Sequence, residues 1–365
     1  MTDQSVLDES DTRRVIGGVD THKDVHVAAV LDELGRLLDT ASFGADTAGY
    51  RQLCRWLYGF GEVLAVGIEG TGSWGAGLAR HLRTRGMNVI EVNRTNRQTR
   101  RRKGKTDTVD AEAAARAVLS GDATVIPKSG DGPIESVRQL RVARNGAMKA
   151  RTAAANQLHS LTDTAPDELR ERLRTETTRA RARTCSRLRA GDLMTPAGAA
   201  KKALALVGAR WVALDAEIRE LDKAIKLVLD QIAAPLLRRH GVGYETAGAL
   251  LAAAGDNPDR ISNEAAYAAL CGSSPVEISS GRTNRHRLNR AGDRQANSAL
   301  WTIVMSRLAS KHAPTIAYLE RRTNDGLSKR DAIRCLKRYV AREVFSDIRA
   351  IATANTNRQT QQIAA

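Results

Sequence analysis

The chain has 365 residues, with 57 Lys and Arg against 41 Asp and Glu, and so carries a formal charge of +16. Its 42% hydrophobic and 27% charged residues exclude wholesale disorder, and it lacks an uninterrupted apolar run of about 18 residues that would cross a membrane. Four scattered cysteines without a C-x-x-C pair exclude a zinc or disulfide framework, and the excess of arginine points to a polyanionic partner, usually nucleic acid. The length suits two or three domains. The acidic, polar start MTDQSVLDESD reads as neither signal nor transit peptide, so the chain is expected in the cytoplasm, nucleoid-associated when on DNA.

Strand signals open the chain. Residues 15–19 (VIGGV), 25–31 (VHVAAVL) and 36–43 read as an antiparallel meander. Asp46 is placed to cap a helix through Tyr58, because Tyr50, Leu53, Cys54 and Leu57 recur at three and four residue spacing. The run 62–69 (EVLAVGIE) has the unbroken apolar character of a strand buried on both faces. A helix over 75–85 and a strand over 88–92 follow. This order predicts an α/β domain of ribonuclease H type.

From 133 to 232 the strand signals vanish. Leu204, Val207, Trp211, Leu214, Ile218, Leu221, Ile225 and Val228 keep a helical spacing opposite a polar face. The pattern predicts long amphipathic helices, a hairpin or a coiled coil shared with another chain. A third unit begins near 235, where HGVGYETAG resembles a helix-hairpin-helix turn whose amides face a phosphate. The expected division is a flexible 1–14, an α/β domain over 15–130, a helical region over 131–234, a mostly helical domain over 235–347 and a flexible tail over 348–365.

Four acids stand out by position. Asp20 follows the first strand, Glu69 ends the buried strand before a Gly-Thr-Gly exit, and Asp107 and Asp110 lie three residues apart at an Ala-rich helix start. That spacing puts both on one helix face. A convergent set suits Mg²⁺ (or Mn²⁺), which takes hard oxygen ligands and retains substrate phosphate oxygens. The competing reading is that Asp107 caps the helix and Asp110 complements its dipole.

The segments GVDTHKDVH, AVGIEGTGSW and GKTDTVDAEAAARA, in this order, resemble the DEDD transposases of bacterial insertion sequences, whose N-terminal domain is similar to RuvC resolvases. VGYETAGALLAAAGD, AALCGSSPVEISSG and LNRAGDRQANSALW resemble that family's C-terminal transposase domain. The resemblance implies a RuvC-like N-terminal domain with Asp20, Glu69, Asp107 and Asp110 as catalytic metal ligands. It also implies a nucleophilic serine in the C-terminal domain, aligned at Ser280 with Ser279 as runner-up and Ser273 and Ser274 behind. Donor and target DNA, a structured bridge RNA and a homo-oligomer (dimer or tetramer) with a composite site are the implied partners.

The basic residues have their own pattern. Arg282, Arg285, Arg287 and Arg290 follow the serine segment and suit a phosphodiester. Between Arg80 and Lys105 there are ten Lys and Arg, Arg97, Arg100, Arg101, Arg102 and Lys103 among them, against one acid. This run leads into the Asp107 helix and reads as a substrate or RNA channel. A second patch, 138–189, holds thirteen Lys and Arg against five acids and suits an RNA duplex. The expected function is therefore a transposase or recombinase. The rivals are a RuvC-like endonuclease using metal-activated water, and a non-catalytic nucleic-acid-binding protein.

Overall fold

A computed structural model describes residues 13–93, 106–279, 281 and 286–364. The chain forms two compact units, Met1–Asp131 with Gly255–Ser262, and Gly132–Ala254 with Asn263–Ala365. The first holds β1 (Arg14–Thr21), β2 (Val25–Asp32), β3 (Leu37–Gly44), α1 (Thr47–Tyr58), β4 (Glu62–Glu69), α2 (Ala76–Thr84), β5 (Val89–Val92) and α3 (Asp107–Leu119). Sheet order is β3-β2-β1-β4-β5. The first three strands pair antiparallel, while β1–β4 and β4–β5 pair parallel. This is the expected α/β, RuvC-like arrangement, followed by a mostly helical remainder.

Side chains alternate across β1. Val15 and Val19 pack with Leu53 and Leu57 of α1 and with Leu78 and Leu82 of α2. Ile16 faces the other way, onto Ala115 of α3. On that second face the helix comes unusually close, because the sheet presents Gly18 and Gly67 and the helix presents alanines. A Cβ at Gly18 would collide with Ala111 O and Ala115 N, and one at Gly67 would lie 2.8 Å from Ala114 O. The Ala-rich run of the sequence thus has a packing cause: only small residues let the two backbones approach.

The second unit is built on α4 (Pro133–Asp163) and α7 (Pro196–Ile232). Arg144 pairs with Asp222, Arg151 with Asp215, and Arg210 with Gln157. Partner numbers fall as α4 advances, so the two helices form an antiparallel hairpin. Helices α5 (Asp167–Arg174) and α6 (Thr178–Ser186) cover one end, burying Leu158, Leu173, Cys185 and Leu204 together.

Several cations of the 138–189 patch are therefore internal. Arg141 is buried and donates to Glu245 O, while Arg181 donates to Leu173 O, Arg174 O and Glu176 O. The Arg181 guanidinium satisfies carbonyls at the end of α5 that burial would otherwise strand.

The chain continues through α8 (Ala234–Leu237), α9 (Tyr244–Ala254), α10 (Glu264–Leu270), a ribbon of β6 (Val276–Glu277) and β7 (His286–Arg287), α11 (Arg294–Ala309), α12 (Ala313–Asn324) and α13 (Lys329–Ala364). The tail expected to be flexible over 348–365 is instead helical to Ala364, with Ile348, Ile351, Ala352 and Asn355 buried. Their three-four spacing gives the polar segment one face to bury. Among the described residues no helix is long and apolar enough to cross a membrane.

The close approach at Gly18 makes a prediction. Gly18→Val should destabilise the protein by about 3 kcal/mol or more in a denaturant titration, whereas Gly72→Ala, where added atoms meet open space, should change stability by less than about 1 kcal/mol.

Candidate active site

Strand geometry brings the acids to one face. Gly18 faces α3, so Asp20, two residues on, faces the same side at the end of β1. Gly67 also faces α3, which puts Glu69 on that face at the end of β4. Because β1 and β4 run parallel with Val19 opposite Ile68, the two strand ends lie level. Thr21 Oγ1 donates to Glu69 O at 2.7 Å and ties them together. Beyond Glu69, Gly70 (φ +76°) turns the chain sharply away from the sheet.

Across from the strand ends stands the first turn of α3. Its N-cap is Thr106, whose side chain accepts from Val109 N. Asp107 is therefore not needed as the cap, and the bland reading of that residue loses its main support. Asp110, one turn further, is buried on the face against the sheet, while Asp107 is exposed at the rim.

His22 completes the cluster. Its Nε2 lies 3.3 Å from Asp20 Oδ2 and 3.4 Å from Asp107 Oδ1, and ligand atoms of Asp20, His22 and Asp107 all fall within 4.8 Å of one another. The sequence reading passed over this histidine. The available signal was its position two residues after Asp20, on the same side of the extending strand. Asp110 and Glu69 are not in that triplet, but Asp110 is near enough to act on Asp20 electrostatically. Burial raises the Asp20 carboxyl above its ordinary value, His22 opposes the rise, and the charges of Asp110 and Asp107 add to it.

The serine segment is only partly described. Ser280, Arg282 and Arg285 lie outside the described residues, as do Arg97, Arg100, Arg101, Arg102, Lys103 and Lys105. Ser273 Oγ donates to Ala268 O and so closes the end of α10. Arg287 is exposed on β7 and Arg290 is exposed just beyond it. The base of the loop is firmly anchored: Asn297 Nδ2 donates to Cys271 O and Gly272 O, and Asn289 Nδ2 donates to Ala269 O.

A five-stranded sheet of this order, with carboxylates gathered where β1 and β4 end beneath the helix on its second face, defines a RuvC-like DEDD domain. A family model for DEDD transposases of the IS110 type matches residues 17–165, and the model for the transposase IS116/IS110/IS902 family matches residues 233–320. The chain belongs to the IS116/IS110/IS902 family of transposases, enzymes of DNA recombination. No curated protein sequence matches the chain.

The electrostatics of Asp20 yield a prediction of definite sign. Because its folded-state value is raised, the fold penalises the ionised form, and the penalty is present at neutral pH and vanishes as the group protonates. Asp20→Asn should therefore raise the melting temperature of the chelator-treated protein by a few degrees at pH 7. The gain should shrink as the pH falls through the Asp20 titration, and be absent near the ordinary aspartate value of about 3.9.

Proposed function

We propose that the protein excises and inserts its own insertion sequence, with Asp20, Glu69, Asp107 and Asp110 holding Mg²⁺ (or Mn²⁺) and Ser280 attacking DNA. The observation that carries this reading is the gathering of Asp20, Asp107 and Asp110 around one strand end, with Glu69 level with them on the adjoining strand. A carboxylate raised by burial and further by neighbouring carboxylates is an arrangement that a divalent cation would relieve, so the donor set fits the metal. When bound, the metal supplies a Lewis acid for phosphate oxygens and charge neutralisation at the reacting phosphorus. His22 either yields its place between Asp20 and Asp107 or adds a nitrogen ligand.

The serine chemistry is a transesterification. The Ser280 Oγ–P bond forms, the P–O bond to the departing deoxyribose oxygen breaks, and the hydroxyl proton ends on that oxygen. Arg282, Arg285 and Arg287 neutralise the phosphate, without which a serine is a weak nucleophile. A bridge RNA pairs with donor and target DNA, with the basic run Arg97–Lys105 beside its path. The acids of one protomer act with the serine of another in a cytoplasmic homo-oligomer.

The test is a covalent adduct. With DNA bearing the element end and Mg²⁺, a protein–DNA species should persist on a denaturing gel and disappear in Ser280→Ala. Asp20→Asn should reduce its rate by about 10²–10³-fold. Free cleaved ends with no adduct would instead establish the metal-activated-water endonuclease. Chelation should abolish the adduct, and Mn²⁺ should restore it.

A further inference from the structure

Beside the anchored base of the serine loop, the second unit holds a cavity of about 610 Å³ between the loop, β7, α12 and α13. Its volume is that of a small-ligand cleft, too large for a lone phosphate group. Two properties mark it. It is strongly cationic, and it is floored by aromatic rings in a protein that has few.

Among the described residues, Arg287, Arg321, Lys337 and Arg338 line it with no carboxylate partner, against one lining acid, Asp331, which is paired with Arg334 at 2.6 Å. Lys337 is the most telling of them. Its Nζ donates to Asn297 Oδ1 at 2.7 Å, and Asn297 in turn holds the loop carbonyls of Cys271 and Gly272. Burial, with Arg334 next to it, pulls the Lys337 ammonium below its ordinary value, a cost that an anion in the cavity would offset.

The rings form a platform. Tyr318 and Tyr339 meet edge to face with centroids 5.1 Å apart, and the Arg321 guanidinium lies 5.3 Å above the Tyr318 ring. Burial pushes the Tyr318 phenol up to about 12, so it adds no negative charge. Tyr339 is half exposed, and the Arg342 guanidinium lies 5.9 Å from its ring centroid. An exposed ring bordered by cations that lack a carboxylate partner suits a base and its phosphate. A duplex keeps its bases inside the stack, so only an unpaired nucleotide can enter.

We propose that this cavity binds one unpaired nucleotide of the DNA strand presented to the serine loop, its base on Tyr339 and its phosphate on Lys337 and Arg287. The inference deepens the proposed transposase function and rests on it only for the strand being DNA. By holding a nucleotide out of the stack beside the loop, the cavity would select melted over paired DNA at the site of cutting.

The test uses the full-length protein in chelator, where no chemistry competes, and reads fluorescence anisotropy with a single-stranded DNA 20-mer, the matching duplex and the RNA 20-mer. Tyr339→Ala should weaken single-stranded DNA binding roughly tenfold and leave duplex binding within twofold, and Tyr339→Phe should keep the wild-type affinity. Lys337→Met should lower the slope of log affinity against log salt by about 0.7, the loss of one single-strand phosphate contact. Circular dichroism melting of each variant should match the wild type within a few degrees. An unchanged single-strand affinity in Tyr339→Ala, or an equal loss on duplex, would overturn the proposal, and a loss confined to RNA would overturn the DNA assignment. Tyr339-dependent binding without any Ser280 adduct would leave the cavity standing and reject the nucleophile instead.

Discussion

The contact on which the site depends is the close packing of α3 on the glycines of two parallel strands. Gly18 and Gly67 present bare backbone, Ala111, Ala114 and Ala115 present methyl groups, and the helix settles almost onto the sheet. A larger residue at either layer would lift α3 and carry Asp107 and Asp110 away from Asp20. The acidic centre is thus set by volume exclusion a full helical turn away from its own carboxylates. Stability and chemistry meet there with opposite signs, since the same approach that packs the core forces like charges together.

The charge of the molecule is not one surface but several roles. Arg141 and Arg181 are buried on backbone carbonyls and the half-buried Arg151 on the buried Asp215, where they hold the α4–α7 hairpin and its neighbours. Guanidiniums paired inside the protein bring geometric specificity more than net stabilisation. Other cations line the cavity beside the serine loop, where their carboxylate partners are missing among the described residues. The contrast between paired and unpaired arginines separates architecture from binding better than any count of charges.

The two proposed centres are also built differently. The acidic cluster sits on strand ends and a helix start, positions made rigid by the sheet. The serine segment is a loop, yet its base is pinned by Asn289 and Asn297 onto helix-end carbonyls. Pinning the root fixes where the loop leaves the helices. Lys337, bound to Asn297, joins that root to the nucleotide-sized cavity.

Much of the first unit was legible in the sequence, because local rules govern it. Unbroken apolar runs marked β1 and β4, period-3.6 spacing marked α1, and the Asp107–Asp110 spacing assigned both acids to one helix face. The resemblance of three motifs to DEDD transposases carried the family. The polar composition of the last eighteen residues misled, since burial of Ile348, Ile351 and Ala352 outweighs an otherwise solvated sequence. His22 was hidden because a histidine next to an aspartate has no meaning until a helix from eighty-five residues onward supplies Asp107. The nucleotide-sized cavity was equally invisible, as Arg287, Tyr318 and Tyr339 belong to separate elements. Sequence alone determined most elements and the family, both of which depend on spacing along the chain. Only the tertiary structure decided which arginines are structural, which histidine joins the acids and where aromatic rings meet unpaired cations, because those outcomes depend on distances between residues far apart in the chain.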